Sequence, residues 1–197
     1  MSKGFTELKS SAYTCATAEP ITDYRMSPAD KSNMAKYLFA GFSRCLYPVQ
    51  KFASEAERKL AVILERETIK WFKPAMGQFQ IFYWQGADHF EYQPDFVAET
   101  TDTIFMLEPK ASNQMNDPVV LAKKEAAMKW CANATDYTAS YGGKPWRYLL
   151  LPHDEIATNM TLAAFALRYG SPVSRRTHAG TGLSGKVSRQ NETPDAT

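Results

Sequence analysis

The chain has 197 residues, of which 44% are hydrophobic and 22% charged, with a formal net charge of +2. That length suits one domain with a real core, and the mixed composition excludes a disordered or fibrous chain. No apolar run approaches the roughly 18 residues of a membrane span, and a net charge this small does not by itself mark a nucleic-acid binder.

Residues 1–30 are polar and mixed, with Pro20 and Pro28, and read as an N-terminal arm that starts without the apolar stretch of a secretory signal. Met34, Tyr37, Leu38 and Phe42 recur at helical spacing, which predicts a helix over 29–46. Ser54 followed by Glu57 is a capping-box pattern, so a helix is expected from there to about Glu67. Its apolar stripe is Leu60, Ala61 and Leu64. Glu57 stands three, four and seven residues before them and shares their face.

The period then changes. Residues 69–73 and 78–84 are rich in aromatic and β-branched types and read as strands. Residues 86–89 suit a turn. Residues 92–99 and 103–108 predict two further strands joined by a short hairpin connection. Pro118 opens a helix to about Thr135, with Val120, Ala127, Trp130 and Cys131 on one face. Residues 146–151 form an apolar run short enough for a buried strand, and Asp154 is expected to cap a last helix to about Tyr169. Residues 170–197 read as a polar tail. The order α–β–β–β–β–α–β–α predicts a mixed central sheet flanked by helices, an α/β or α+β domain over 31–169.

Cys15, Cys45 and Cys131 are odd in number and lack C-x-x-C spacing, so a disulfide framework is not expected and a cytoplasmic setting fits. His89, His153 and His178 include no pair at the spacing of a helical zinc site. The stretch from Gly180 to Lys186 imitates a phosphate-binding P-loop. Val187 stands where that motif requires Ser or Thr, and only eleven residues follow Lys186, too few for the usual helix and sheet.

Chemistry concentrates at Asp95, Glu108 and Lys110. Residues two apart on a strand project to one face, so Glu108 and Lys110 point together, and Asp95 on a paired strand can join them. Two hard oxygen donors suit Mg²⁺, which keeps several waters. A lysine beside it can orient a water or stabilise a phosphoryl group. Glu57 has two readings, partner in the capping box and fourth member of the acidic cluster. Lys123, Lys124 and Lys129 form either a solvated helix face or phosphate contacts. Trp71, Trp84, Trp130 and Trp146 are expected in the core. Pro109 lies inside the strand that carries Glu108 and Lys110, where it favours an edge or a bend.

Seven stretches, CLYPVQKF (45–52), SEAERKLAVILE (54–65), IKWFKPAMGQFQIFY (69–83), YQPDFVAET (92–100), MLEPKA (106–111), LAKKEAAMKWC (121–131) and GGKPWRYLLLPHDEI (142–156), carry a resemblance. Over roughly residues 35–165 the chain resembles the C-terminal nuclease domain of type III restriction endonuclease subunits and related helicase-nucleases, of the PD-(D/E)xK superfamily. The resemblance implies a restriction-endonuclease-like core and Mg²⁺-dependent cleavage of double-stranded DNA, with Mn²⁺ able to substitute. Asp95 and Glu108 would be the metal ligands, Lys110 the catalytic lysine and Glu57 the acidic residue of the first core helix. It further implies a helicase, translocase or methyltransferase partner, since this chain holds no motor of its own, and a homodimer if both strands are cut. The other expectation is a catalytically silent DNA-binding or docking module of the same fold.

Overall fold

Along the stretch from Ile104 to Lys110, Phe105 and Leu107 belong to one hydrophobic core and Met106 to a second. A strand apolar on both faces has to lie between two layers. In the computed structural model, which describes residues 21–170, the strands are β1 (Ile21–Asp23), β2 (Leu38–Ala40), β3 (Val49–Gln50), β4 (Lys70–Phe72), β5 (Ile81–Gln85), β6 (Asp88–Tyr92), β7 (Phe96–Glu99), β8 (Ile104–Lys110) and β9 (Trp146–Pro152). The α-helices are α1 (Glu55–Glu67), α2 (Pro118–Ala139) and α3 (Leu162–Tyr169).

The central sheet runs in the order β4-β7-β8-β9. β4 and β8 are antiparallel to β7, whereas β9 is parallel to β8. A parallel pair needs a crossover, and α2 supplies it. On one face of the sheet, Leu60, Ile63 and Leu64 of α1 and Phe165 of α3 pack with Phe96, Phe105, Leu107 and Leu149. On the other, Ala127 and Cys131 of α2 pack with Met106, Tyr148 and Leu150, and with Ile81 and Tyr83 of the β5–β6 hairpin. This is a mixed α+β fold, as the element order predicts. No helix among the described residues is long and apolar enough to cross a membrane.

Several local expectations are overturned. No α-helix forms over 29–46. Asp30 caps a 3-10 segment at Lys31–Lys36 that is broken in two by a kink at Asn33, and the chain then extends into β2. There Leu38–Ala40 lies between β1, in parallel, and β3, antiparallel, so sheet pairing outweighs a helical period that Ser32 and Asn33 support poorly. The pairing also ties the end of the N-terminal arm to the domain. Arg58 reinforces this by donating to the Tyr24 carbonyl at 2.8 Å.

The single strand expected over 92–99 is divided at 93–95, because β6 pairs with β5 whereas β7 pairs with β4 and β8. Thr161, not Asp154, caps the last helix by accepting from the Ala164 N–H. Trp84 is 67% exposed on the hairpin rather than in the core, since Ile81 and Tyr83 take the inward positions of β5. Trp71 is fully buried, and Trp130 and Trp146 pack partly buried against the second core. Cys45 and Cys131 are free thiols. Burial pushes that of Cys131 up to about 12. The P-loop-like stretch and the polar tail beyond Gly170 lie outside the described residues.

Candidate active site

One end of the central sheet gathers four segments. β4 and β7 run antiparallel with Phe72 opposite Val97, so Lys73 leaves β4 beside the point where β7 begins. β7 and β8 run antiparallel with Phe96 opposite Leu107 as their last pair. The next step of that register sets Asp95 against Glu108. The first turn of α1 brings Glu57 to the same place.

Glu57 realises both of its sequence readings in part. Its N–H donates to Ser54 Oγ at 3.1 Å, so Ser54 is the N-cap. Its carboxylate reaches back past the cap to the Ala53 N–H at 3.2 Å, and it pairs with Lys73. The Lys73 ammonium lies 5.0 Å from the Phe96 ring centre and 5.6 Å from that of Phe52. Two aromatic faces and a carboxylate thus hold this cation.

Glu108 is buried, with both oxygens engaged. Lys110 Nζ stands 2.9 Å from Oε1, which realises the shared face expected of residues two apart. The Tyr92 hydroxyl donates to Oε2 at 2.9 Å. Pro109 does not interrupt this arrangement. β8 runs on through it to Lys110, and residues 108–110 pair only with β9. Past Leu107 the β7 side of the strand is unpaired, so the buried proline occupies what is in effect an edge position of the ladder.

The electrostatics follow from this crowding. Burial, then the charges of Glu108 and Glu57, push the Asp95 carboxyl from 3.8 up to about 8, against the opposing pull of Lys73 and Lys110. Burial alone would depress Lys110. The carboxylates of Glu108, Asp95 and Glu57 overturn that and hold its ammonium above the usual value. Burial and the nearby Glu108 charge raise the hydroxyls of Tyr92 and Tyr148.

The predicted residues Glu57, Asp95, Glu108 and Lys110 are therefore brought together. Lys123 and Lys124 are not part of this cluster. They sit on α2, and Lys123 Nζ lies 5.4 Å from the Tyr83 ring centre, against the hairpin. Sequence reasoning missed Lys73 and Tyr92. Lys73 follows β4 with no motif to mark it, whereas Tyr92 stands three residues before Asp95 in the stretch YQPDF.

Among the described residues no group of three or more His, Cys, Asp and Glu side chains is arranged to hold a metal ion. The donor pair is Asp95 and Glu108. Two carboxylates are the donor set that Mg²⁺ would need, since that ion often takes only one or two protein carboxylates and keeps its waters. Burial first, then the charges of Glu108 and Glu57, raise the Asp95 carboxyl, and a dication bound there would oppose the second of these. No protein-family model matches the chain, and a search of curated proteins finds no match.

Proposed function

We propose that residues 31–169 form a Mg²⁺-dependent DNA endonuclease domain that hydrolyses phosphodiester bonds, part of or derived from a type III restriction or helicase-nuclease system. The observation that carries this reading is the meeting of Asp95, Glu108 and Lys110 at one end of the sheet, Asp95 just before β7 and the other two at the end of the neighbouring β8. The helix-first order α1-β4-β7-β8-α2-β9, with β8 and β9 parallel across the α2 crossover, supports a restriction-endonuclease-like core.

In this reading Asp95 and Glu108 hold the ion, and Mn²⁺ can replace it. When bound, the metal supplies positive charge for the scissile phosphate and acidity for a coordinated water. Lys110, anchored by Glu108, presents its ammonium to the attacking water or to the charge that develops on phosphorus. Glu57 and Lys73 set the electrostatic background for Asp95. The substrate is double-stranded DNA. A second copy of the chain provides the second cut, and a helicase, translocase or methyltransferase subunit, in the cytoplasm, provides the motor or the recognition.

Plasmid cleavage with Mg²⁺ by the wild type, Asp95→Ala and Lys110→Ala is the test. The wild type should cut, and each variant should lose about a hundredfold or more. Equal background cutting by all three would remove the reading. The second reading, a silent DNA-binding or docking module, is favoured by one observation: both oxygens of Glu108 are already engaged, by Lys110 and Tyr92. It requires DNA retention without cleavage in the same samples.

A further inference from the structure

We infer that Tyr92 is the positioning residue for Glu108, delivered to the site by the β5–β6 hairpin inserted between β4 and β7. The inference rests on the nuclease reading, in which Glu108 is a metal ligand. A glutamate side chain has three rotatable torsions, and one contact leaves its carboxylate plane free to turn. Here Lys110 holds Oε1 and Tyr92 holds Oε2, one anchor for each oxygen. Partners of this kind fix a ligand's orientation before the metal arrives.

Tyr92 is itself rigid. It is 2% exposed, stands opposite Ile81 in the hairpin ladder, and meets the Tyr148 ring edge-on at 6.5 Å between centres. The segment that follows is short and tied down, because the Gln93 side chain donates to the Pro74 carbonyl. One stretch thus carries both the donor to Glu108 and, three residues later, Asp95.

A buried tyrosine usually seeks an acceptor, and that alone could bring Tyr92 to Glu108. Tyr148 gives the control that separates the two explanations: it is buried to a similar degree on the same side of the sheet and packs on the Tyr92 ring, yet it donates no hydrogen bond to Glu108.

The experiment is Mn²⁺ binding by isothermal titration calorimetry on the full chain, for the wild type, Tyr92→Phe, Tyr92→Leu and Tyr148→Phe, with Asp95→Asn as the non-binding reference. Thermal melts establish that each variant is folded. Both Tyr92 variants should bind Mn²⁺ about tenfold or more weakly, and Tyr148→Phe should stay within about twofold of the wild type. Equal affinity in Tyr92→Phe and wild type would overturn the inference and leave the metal site standing. Equal losses in Tyr92→Phe and Tyr148→Phe would assign the effect to packing and overturn it too, as would failure of both Tyr92 variants to fold. A wild type that binds no Mn²⁺ would sink both the inference and the nuclease reading.

Discussion

Replacing Asp95 by asparagine removes a charge that the fold resists, at almost no change in volume. The carboxyl stands at 3.8 in an ordinary setting and is pushed up to about 8 here, by burial first and then by Glu108 and Glu57. A group raised in the folded state gives stability that is complete below its unfolded value and is lost as pH climbs through its folded value. The window therefore runs from about pH 4 to about pH 8. At about 1.4 kcal/mol per pKa unit, the metal-free protein should lose about 2–4 kcal/mol to this one group between pH 5 and pH 8. The asparagine amide binds no proton, so the Asp95→Asn protein should keep that stability, with a flatter profile than the wild type. Urea unfolding of both proteins in a chelating buffer, read by tryptophan fluorescence at steps from pH 5 to pH 8, measures the two slopes. Parallel profiles would refute the reasoning, because Asp95 would then carry its charge in the folded protein at no cost.

Two further outcomes follow from the same cluster. Mg²⁺ or Mn²⁺ should raise the melting temperature at both pH 5 and pH 8, but with weaker apparent binding at pH 5, where Asp95 must first give up its proton; dye-based melts across a metal titration read this, and pH-independent midpoints would speak against Asp95 as a ligand. Lys73→Met leaves the buried Glu57 without its cation and should destabilise the protein by about 2–4 kcal/mol in guanidinium unfolding, while moving the Asp95 transition to higher pH, since Lys73 is one of the two groups holding it down. A loss under about 0.5 kcal/mol would mean that water, not Lys73, satisfies Glu57.

Much of the fold was legible where local pattern and tertiary role coincide. Ser54 and Glu57 announce the start of α1, Pro118 opens α2, and the run 146–151 is the buried strand it resembles. The turn between β7 and β8 forms where Thr100 and Asp102 close on each other, with Thr100 Oγ1 2.9 Å from the Asp102 carboxylate. Residues 31–50 were illegible for the opposite reason. Leu38 and Phe39 are both buried in a strand, and the partners that make them one, β1 and β3, lie on either side of them in the chain and carry no strong β pattern. Trp84 misled because composition predicts burial for tryptophan, whereas the period of β5 had already committed Ile81 and Tyr83 to the inside.

The site was legible through geometry that a strand imposes, and incomplete where a contact crosses between elements. Glu108 and Lys110 share a face because they are two apart on β8. Lys73 needed the antiparallel register of β4 and β7, which no local motif encodes, yet it changes what the cluster can do. With every group ionised the site would hold three carboxylates, Glu57, Asp95 and Glu108, against two ammonium groups, Lys73 and Lys110. A proton retained on Asp95 brings it to neutrality, the direction in which burial first, and then the charges of Glu108 and Glu57, push the Asp95 carboxyl. In the nuclease reading, exchanging this proton for a dication leaves the cluster with one net positive charge, the complement of a phosphodiester. Without Lys73 the loaded site would be neutral and lose that complement. In that reading the lysine absent from the motif bears on substrate charge as directly as the one within it.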